Sequence, residues 1–232
     1  MKTEVIVALD VANSNELSRK LSELPEKISW FKVGLELFCA EGPQVLTPLH
    51  ERNGNIFLDL KLHDIPRTVE KAVISAAKHN VDLLTIHASG GEEMMKAAVN
   101  AAKSANTKRP LKLLAVTVLT SLNVADLNRM GIPRTPAEHA LALAEMACIN
   151  GVDGVVCSLH EANIIRKTVG PSPLIVTPGI RLPGDSAGDQ KRIGTPYDAR
   201  EAGATHIVVG RPILDSSDPG AAYDKIIADL QR

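Results

Sequence analysis

The sequence predicts a (β/α)8 TIM barrel, an α/β fold, formed by one domain that spans residues 1–232. Eight short apolar runs recur along the chain, and helical patterns lie between them. The runs are apolar throughout rather than alternating, which is typical of parallel strands covered on both faces. No Pro/Ser-rich linker, low-complexity segment or close repeat divides the chain. Eight β-then-α units in one uninterrupted chain most economically form a closed barrel.

The eight runs are the expected strands. They are Glu4–Leu9, Trp30–Val33, Asn55–Leu60, Leu83–His87, Lys112–Val118, Gly154–Cys157, Leu174–Thr177 and His206–Val209. An open doubly wound sheet is the alternative arrangement of such units. The first βα turn, ALDVANSNEL, has no GxGxxG motif and therefore does not favour that alternative.

The segments between the strands carry the residues that begin and end helices. In IPRTVEKAVISAAKHN, apolar residues recur at three- and four-residue intervals from Val69 to Ala77 and form one stripe. In TPAEHALALAEMACING, we expect a capping box of Thr135 and Glu138 at the start and Gly151 just after the end. TPYDAREAG repeats this scheme, and DPGAAYDKIIADL begins the last helix.

The composition bounds the class of protein. Aromatic residues make up 3% of the chain, so aliphatic side chains must fill the core. The net charge of −1 argues against a nucleic-acid or acidic-membrane partner. Three cysteines without a CxxC motif favour a reducing compartment. We find no signal peptide and no apolar run near the roughly 18 residues of a membrane span, so we expect a cytoplasmic protein.

Ionisable and hydrogen-bonding residues collect where the strands end. In a barrel of this kind the active site lies at the C-terminal ends of the strands. The residues at those ends are Asp10, Lys32, Asp59, Lys61, His87, Thr120, Ser121, Arg181, Gly210 and Arg211. We interpret His87 and nearby His63 as structural residues. The histidines show no metal-ligand spacing, so we predict no metal site.

The stretch DLKLHDIP is the strongest indication of chemistry. A strand's period of two places Asp59 and Lys61 on one face. The opposite face carries Leu58, Leu60 and Leu62. Both faces of a barrel strand are covered, and unpaired buried charges are very costly, so these charges must pair or line a polar pocket. Neighbouring carboxylates favour the ammonium form of the lysine, which suits a proton donor.

A second candidate site follows the last two strands. Loops after strands 7 and 8 commonly bind phosphate in this fold. In VVGRPI, Gly210 allows the backbone to approach an anion, and Arg211 can bind it bidentately. The segment RLPGDSAGDQKRIG, residues 181–194, has the composition of a mobile loop that could close over a ligand.

Taken together, these motifs resemble one known family. They are ALD (8–10), FKVG (31–34), FLDLKLHDIPRTV (57–69), HASGG (87–91), AVTVLTS (115–121), VTPGIR (176–181), AGDQKRI (187–193) and VVGRPI (208–213). In this order they closely resemble the bacterial type of orotidine 5′-phosphate decarboxylase, over nearly the whole chain. DxKxxD alone is shared with related sugar-phosphate enzymes, but its combination with TPGIR, AGDQ and GRPI is specific.

The resemblance implies loss of CO2 from orotidine 5′-phosphate to give uridine 5′-phosphate, without a metal or other cofactor. It implies a homodimer whose sites lie at the interface. Lys61 matches the lysine that protonates C6 of the pyrimidine, and Asp59 matches the aspartate beside the departing carboxylate. Asp64 matches an aspartate contributed by the partner chain, with Ile65 and Thr68 beside it.

The resemblance assigns the other matching residues to substrate binding. They are Asp10 and Lys32 at the ribose, Thr120 and Ser121 near the base, Pro178 in VTPGIR, Arg181 and Gln190 in the closing loop, and Gly210 and Arg211 at the phosphate. Lys32 also extends the alternating charges of the catalytic set. One residue departs from the pattern: Arg67 stands where many bacterial relatives carry Asn, in a position that could alter dimer contacts.

Two alternatives stay open. The first is a Mg2+-dependent sugar-phosphate decarboxylase or aldolase of the same superfamily. Lys32 argues against it, because a metal-using relative would be expected to carry a carboxylate at that strand end. The second is a barrel that binds a nucleotide without turnover, which the intact Asp59, Lys61 and Asp64 disfavour.

Overall fold

The computed structural model describes residues 2–182 and 194–232, and it confirms the predicted barrel. Eight parallel strands pair in sequence order, and the last pairs with the first to close the sheet. The strands are β1 (Glu4–Ala8), β2 (Trp30–Gly34), β3 (Asn55–Leu62), β4 (Leu83–His87), β5 (Lys112–Val116), β6 (Gly154–Val156), β7 (Leu174–Thr177) and β8 (His206–Val209).

Helices lie between consecutive strands along the chain and after the last strand. They are α1 (Ser14–Glu23), α2 (Leu35–Glu41), α3 (Thr47–Glu51), α4 (Pro66–Ala77), α5 (Glu92–Ser104), α6 (Val124–Arg129), α7 (Pro136–Ile149), α8 (Leu159–Val169), α9 (Pro196–Glu201), α10 (Arg211–Leu214) and α11 (Pro219–Leu230). Short 3-10 helices lie at Gly42–Leu46 and Ala88–Gly90. In the described part of the chain, no helix combines the length and apolar character needed to cross a membrane.

The helices begin where their capping residues predict. Thr135 and Glu138 form the expected capping box at α7, and Thr195 forms the equivalent box with Asp198 at α9. The Asp218 side chain accepts a hydrogen bond from the backbone of α11. Side-chain acceptors of this kind satisfy backbone N–H groups that have no partner within the helix. The predicted boundaries of these helices therefore have a local cause.

Two apolar layers explain why the strands are apolar throughout. The outer faces of the strands pack against the helices in one large core, to which Val7, Leu58 and Leu84 belong. Inside the barrel, a smaller cluster fills the space below the mouth. Its buried members are Ile6, Ala8, Phe57, Leu83, Leu114, Val176 and Val208. This filled interior gives the open end of the barrel a solid apolar floor.

Candidate active site

A cavity of about 600 Å3 opens at the C-terminal ends of the strands. Nine of the residues expected at a site from the sequence line it. They are Asp10, Lys32, Asp59, Lys61, Thr120, Pro178, Arg181, Gly210 and Arg211. The wall also contains residues that sequence reasoning missed, among them Cys157 after β6 and Asp215 after α10. Neither belongs to a motif that distinguishes it from an ordinary loop residue.

Four side chains in this cavity form a row of alternating charge. The Lys32 Nζ lies 2.7 Å from Asp10 Oδ1 and 4.0 Å from Asp59 Oδ2. The Lys61 Nζ lies 2.7 Å from the same Asp59 oxygen. The Lys32 and Asp59 side chains are only 10% and 13% exposed, so water screens the centre of the row poorly. The row therefore presents a strong, fixed pattern of charge to whatever occupies the cavity.

The close approach of Lys32 to Asp10 depends on a glycine. Gly34, the last residue of β2, lies beside the pair. A Cβ atom at this position would lie 3.0 Å from the Lys32 Nζ and 3.4 Å from Asp10 Oδ1. Any larger residue would push the ammonium group, so glycine here makes room for the ion pair rather than for an unusual backbone angle.

Lys61 reaches the cavity through an irregular stretch of β3. Leu58 pairs with Leu84 and Leu62 with Ile86, so three residues of β3 face one residue of β4. Lys61 itself has a φ of 50°, a conformation that costs a non-glycine residue of order 1 kcal/mol or more. Asp59 and Lys61 face the cavity, and the leucines of β3 face the outer core, as predicted. The regular strand assumed in that prediction is wrong, because a bulge carries the lysine.

A buried threonine of β4 faces this bulge. Thr85 Oγ1 donates a hydrogen bond to Asp59 Oδ1 at 2.9 Å and accepts one from the Lys61 backbone N–H at 2.8 Å. The side chain is completely buried. Thr85 does not stand out in the sequence, because a threonine inside an apolar run is ordinary in a β-strand.

Two histidines lie beside the bulge. The rings of His63 and His87 are 5.2 Å apart and tilted by 32°. Burial lowers the pKa of His87, and the charges of His63 and Lys61 lower it further, partly opposed by Asp59. His87 is therefore neutral near pH 7. This packing agrees with the structural role expected for both residues.

The end of β8 leads into the second predicted site. Gly210 follows β8 directly, and Arg211 begins the four-residue helix α10. A Cβ atom at Gly210 would contact Ala8 and Asp10, two residues of the cavity wall. These contacts, at 3.5 to 3.7 Å, are ordinary van der Waals distances, and the φ of −108° is open to any residue. Neither the space nor the φ angle therefore requires glycine at this position.

The predicted closing loop is described only at its two ends. Ile180 bridges to Gly194, and the Arg181 N–H donates to the Gly194 carbonyl at 3.0 Å. The Arg181 side chain is buried and donates to the Ile180 carbonyl at 2.8 Å. Gln190, expected to close on a ligand, lies outside the described residues.

Three predicted residues lie away from the cavity of their own chain. Asp64, Ile65 and Thr68 belong to a continuous exposed run at the start of α4, and Ile65 is 68% exposed. Asp64 Oδ1 accepts a hydrogen bond from the neighbouring Ile65 N–H. Ser121 is likewise exposed and does not line the cavity. The chain therefore does not bring these four residues to its own charged row.

The acidic and sulfur-containing residues do not assemble into a metal centre in the described ranges. Across residues 2–182 and 194–232, no group of three or more His, Cys, Asp or Glu side chains is arranged to hold a metal ion. Two carboxylates of the cavity, Asp10 and Asp59, are paired with lysines instead. That no metal takes part stays a prediction.

The barrel and its cavity together define a class of protein. It is a (β/α)8 barrel with a cavity lined by charged side chains at the C-terminal ends of its strands, where enzymes of this fold have their active sites. A sequence model of the orotidine 5′-phosphate decarboxylase / HUMPS family matches residues 3–226. The chain belongs to this family.

Individual relatives support the same assignment. The chain is 46% identical to the orotidine 5′-phosphate decarboxylase of Idiomarina loihiensis over 227 residues, which are 98% of this chain and 97% of that protein. It is also 46% identical to the enzyme of the same name from Marinomonas sp., over 99% and 97% of the two chains. The crystal structure of orotidine 5′-phosphate decarboxylase from Lactobacillus acidophilus superimposes with a TM-score of 0.87 at 40% identity, covering 99% of this chain and 100% of that one.

Proposed function

We propose that the protein removes CO2 from orotidine 5′-phosphate and releases uridine 5′-phosphate, the last step of pyrimidine nucleotide synthesis. It does so in the cytoplasm, as one domain of residues 1–232, without a metal or other cofactor. The observation that carries the proposal is the alternating row in the cavity, in which the Lys61 Nζ lies 2.7 Å from Asp59 Oδ2. Relatives of nearly equal length and 46% identity bear the name of this activity.

The row of charged side chains suits a decarboxylation in which the negative charge left on the substrate is stabilised electrostatically by the protein rather than delocalised into the substrate. When the bond between C6 and the carboxylate breaks, the electron pair stays on C6 in the plane of the pyrimidine ring. CO2 therefore leaves as a neutral molecule, and the Lys61 ammonium stabilises the pair on C6 electrostatically and then donates a proton to it. Water returns a proton to the lysine, which restores the enzyme.

Asp59 has two roles in this proposal. It orients the Lys61 ammonium through their 2.7 Å contact. It also lies beside the substrate carboxylate, so that the repulsion between two negative groups is relieved when CO2 departs. Lys32 limits this repulsion before reaction, because its Nζ lies 4.0 Å from the same Asp59 oxygen.

Binding of the rest of the nucleotide supplies energy at a distance from C6. Gly210 and Arg211, at the end of β8, bind the phosphate, and Asp10 with Lys32 binds the ribose. Thr120 and Pro178 lie on the wall where the base is placed. Such remote contacts hold the substrate in position and raise the rate only if they favour the reacting geometry.

The proposal includes a homodimer in which each chain lends Asp64, Ile65 and Thr68 to the other's cavity. Two observations support it. These three side chains are exposed and lie away from their own cavity. In addition, most of the large apolar side chains found exposed in the described ranges follow the C-terminal ends of strands: Leu35, Ile65, Leu119, Val124 and Met130. Contiguous exposed apolar surface is typical of a site that binds another protein.

The test of the reaction is a spectrophotometric assay with orotidine 5′-phosphate, with and without a chelator. We expect Lys61→Ala to lower kcat by at least about 10^4-fold, because both charge stabilisation and proton donation are lost. Binding of uridine 5′-phosphate, measured by calorimetry, should remain detectable. The matched control is Lys27→Ala. Lys27 is an exposed lysine before β2 that pairs with Asp224 of α11, so its removal should leave kcat unchanged.

Three results would count against the proposal. Near-normal turnover by Lys61→Ala would refute the role of the lysine. Turnover that disappears with the chelator would favour the metal-dependent alternative. Nucleotide binding without turnover by the wild-type protein would favour a non-catalytic barrel.

The shared site has its own test. Asp64→Ala and Lys32→Ala proteins should each be nearly inactive, because each removes one half of every site. Mixing them should restore activity, since one of the two sites in a mixed dimer is then intact. Absence of any recovery, after exchange of chains has been shown by mass spectrometry, would refute the sharing of Asp64.

A further inference from the structure

Thr85 makes both of its side-chain hydrogen bonds to the two residues on which the proposed reaction depends. A hydroxyl has one proton to donate and lone pairs to accept with. Thr85 Oγ1 donates to Asp59 Oδ1 at 2.9 Å and accepts from the Lys61 N–H at 2.8 Å. With the hydroxyl completely buried, no water competes for either bond.

The bond to Asp59 fixes how the carboxylate is turned. Asp59 Oδ1 is held by Thr85, which leaves Oδ2 to face the Lys61 Nζ at 2.7 Å and the Lys32 Nζ at 4.0 Å. Each carboxylate oxygen therefore has a separate partner. Without the hydroxyl, rotation about the Asp59 side chain would meet less resistance, and the oxygen that orients Lys61 would move.

The bond to Lys61 holds its backbone in an unfavourable conformation. Between the pairs Leu58–Leu84 and Leu62–Ile86, the bulge interrupts the regular ladder. The Thr85 hydroxyl supplies the acceptor for the Lys61 N–H at this point. The φ of 50° at Lys61 persists because surrounding contacts favour it over an extended backbone. An extended backbone would carry the ammonium group away from Asp59.

We propose that Thr85 is a positioning residue that sets both the Asp59 carboxylate and the Lys61 ammonium for the reaction, without touching the substrate itself. This inference rests on the proposed decarboxylation. In this proposal, the buried Thr85 hydroxyl on β4 aligns the two charged groups on β3, Asp59 and Lys61.

The test compares substitutions that differ in the hydroxyl. Thr85→Val keeps the shape of the side chain and removes both hydrogen bonds, whereas Thr85→Ser keeps the hydroxyl and removes a methyl group. We expect Thr85→Val to lower kcat about 100-fold, as a misplacement near 1 Å can do. The Kd for uridine 5′-phosphate should change less than about threefold, because the phosphate and ribose contacts are untouched. Thr85→Ser should keep kcat within about fivefold of the wild type.

Thr117 provides the matched control. It is buried after β5, and its hydroxyl donates to the Val156 carbonyl at 3.0 Å, which also accepts from the Thr117 N–H. Thr117→Val therefore removes a buried hydroxyl without disturbing the charged row, and kcat should stay within about threefold of the wild type. Thr85→Cys, a weak donor of similar size, should give a kcat clearly below that of Thr85→Ser, and this comparison tests the inference if Thr85→Val fails to fold.

The outcomes distinguish failure of the Thr85 inference from failure of the proposed function. A folded Thr85→Val protein with wild-type kcat would overturn the inference, and so would a Thr85→Ser variant as slow as Thr85→Val. A crystal structure of the Val or Cys variant should show the Lys61 Nζ displaced from Asp59, and an unchanged position would also overturn it. A wild-type protein without decarboxylase activity overturns the proposed function instead, together with any role for Thr85 in that reaction.

Discussion

His206 makes the stability of the barrel depend on pH. It lies at the start of β8, at the end of the barrel opposite the cavity, and it is buried. Its ring meets Trp30 edge to face with centroids 5.3 Å apart, and its Nδ1 lies 2.9 Å from Thr205 Oγ1. Burial lowers the pKa of His206 from 6.5 to about 4, with smaller and opposing effects from Glu4 and Lys112.

The direction of the effect follows from proton binding. At pH 7 the imidazole is neutral in both folded and unfolded chains. Between pH 6.5 and about 4, the unfolded chain binds a proton at His206 and the folded protein does not. Acid therefore favours the unfolded chain, and the free energy of unfolding falls as the pH is lowered through this window.

The size of the effect can be worked from the two pKa values. Each pH unit of difference corresponds to 1.36 kcal/mol, so a pKa of about 4 against 6.5 costs roughly 3 kcal/mol by the bottom of the window. A typical protein has a total stability of about 5–15 kcal/mol, so roughly 3 kcal/mol is a substantial share of the stability of such a protein.

The assay is urea unfolding of the wild type and His206→Phe at several values between pH 7 and pH 4. Phenylalanine keeps a ring against Trp30 but binds no proton. Thr205 Oγ1 keeps its bonds to the Ile175 backbone. We expect the wild type to lose roughly 3 kcal/mol relative to the variant across this range. Two stability curves that run parallel from pH 7 to pH 4 would refute the reasoning.

Two further predictions concern glycines that make room for neighbours. Gly34→Ala should lower kcat/KM about tenfold with little change in Tm, because the new Cβ atom would lie 3.0 Å from the Lys32 Nζ. An unchanged kcat/KM in steady-state kinetics would contradict this first prediction. Gly154→Ala should lower Tm by about 4 °C or more, because its Cβ would overlap the Leu174 backbone where β6 pairs with β7. A thermal melt identical to that of the wild type would contradict this second prediction.

Much of the fold could be predicted because its causes are local. Continuous apolar runs marked all eight strands, and residues such as Thr135 and Asp218 marked helix starts. The strand ends were less certain. The run Lys112–Val118 extends past the end of β5 at Val116, because an apolar side chain can be buried either in a strand or in the loop that follows it.

The site was predictable to the extent that it consists of charged residues at strand ends. Asp59 and Lys61 stood out because a carboxylate and an ammonium are rare inside an apolar strand. The bulge was not predictable, because the left-handed backbone of Lys61 is imposed by contacts with β4 rather than by a glycine in the sequence. Thr85 went unnoticed for the same reason: its importance comes from what lies opposite it.

The bulge also determines which changes of chain length β3 tolerates. Three residues of β3 lie opposite one residue of β4, so β3 has two more residues between Leu58 and Leu62 than regular pairing needs. Deleting Leu60 would leave the pairs Phe57–Leu83 and Leu58–Leu84 intact. Because side chains alternate along a strand, the Lys61 side chain would then turn away from the cavity. Such a deletion would yield a closed barrel in which the Lys61 ammonium group no longer faces Asp59 in the cavity. In evolution, this short stretch could therefore gain or lose an activity while the rest of the protein kept its shape.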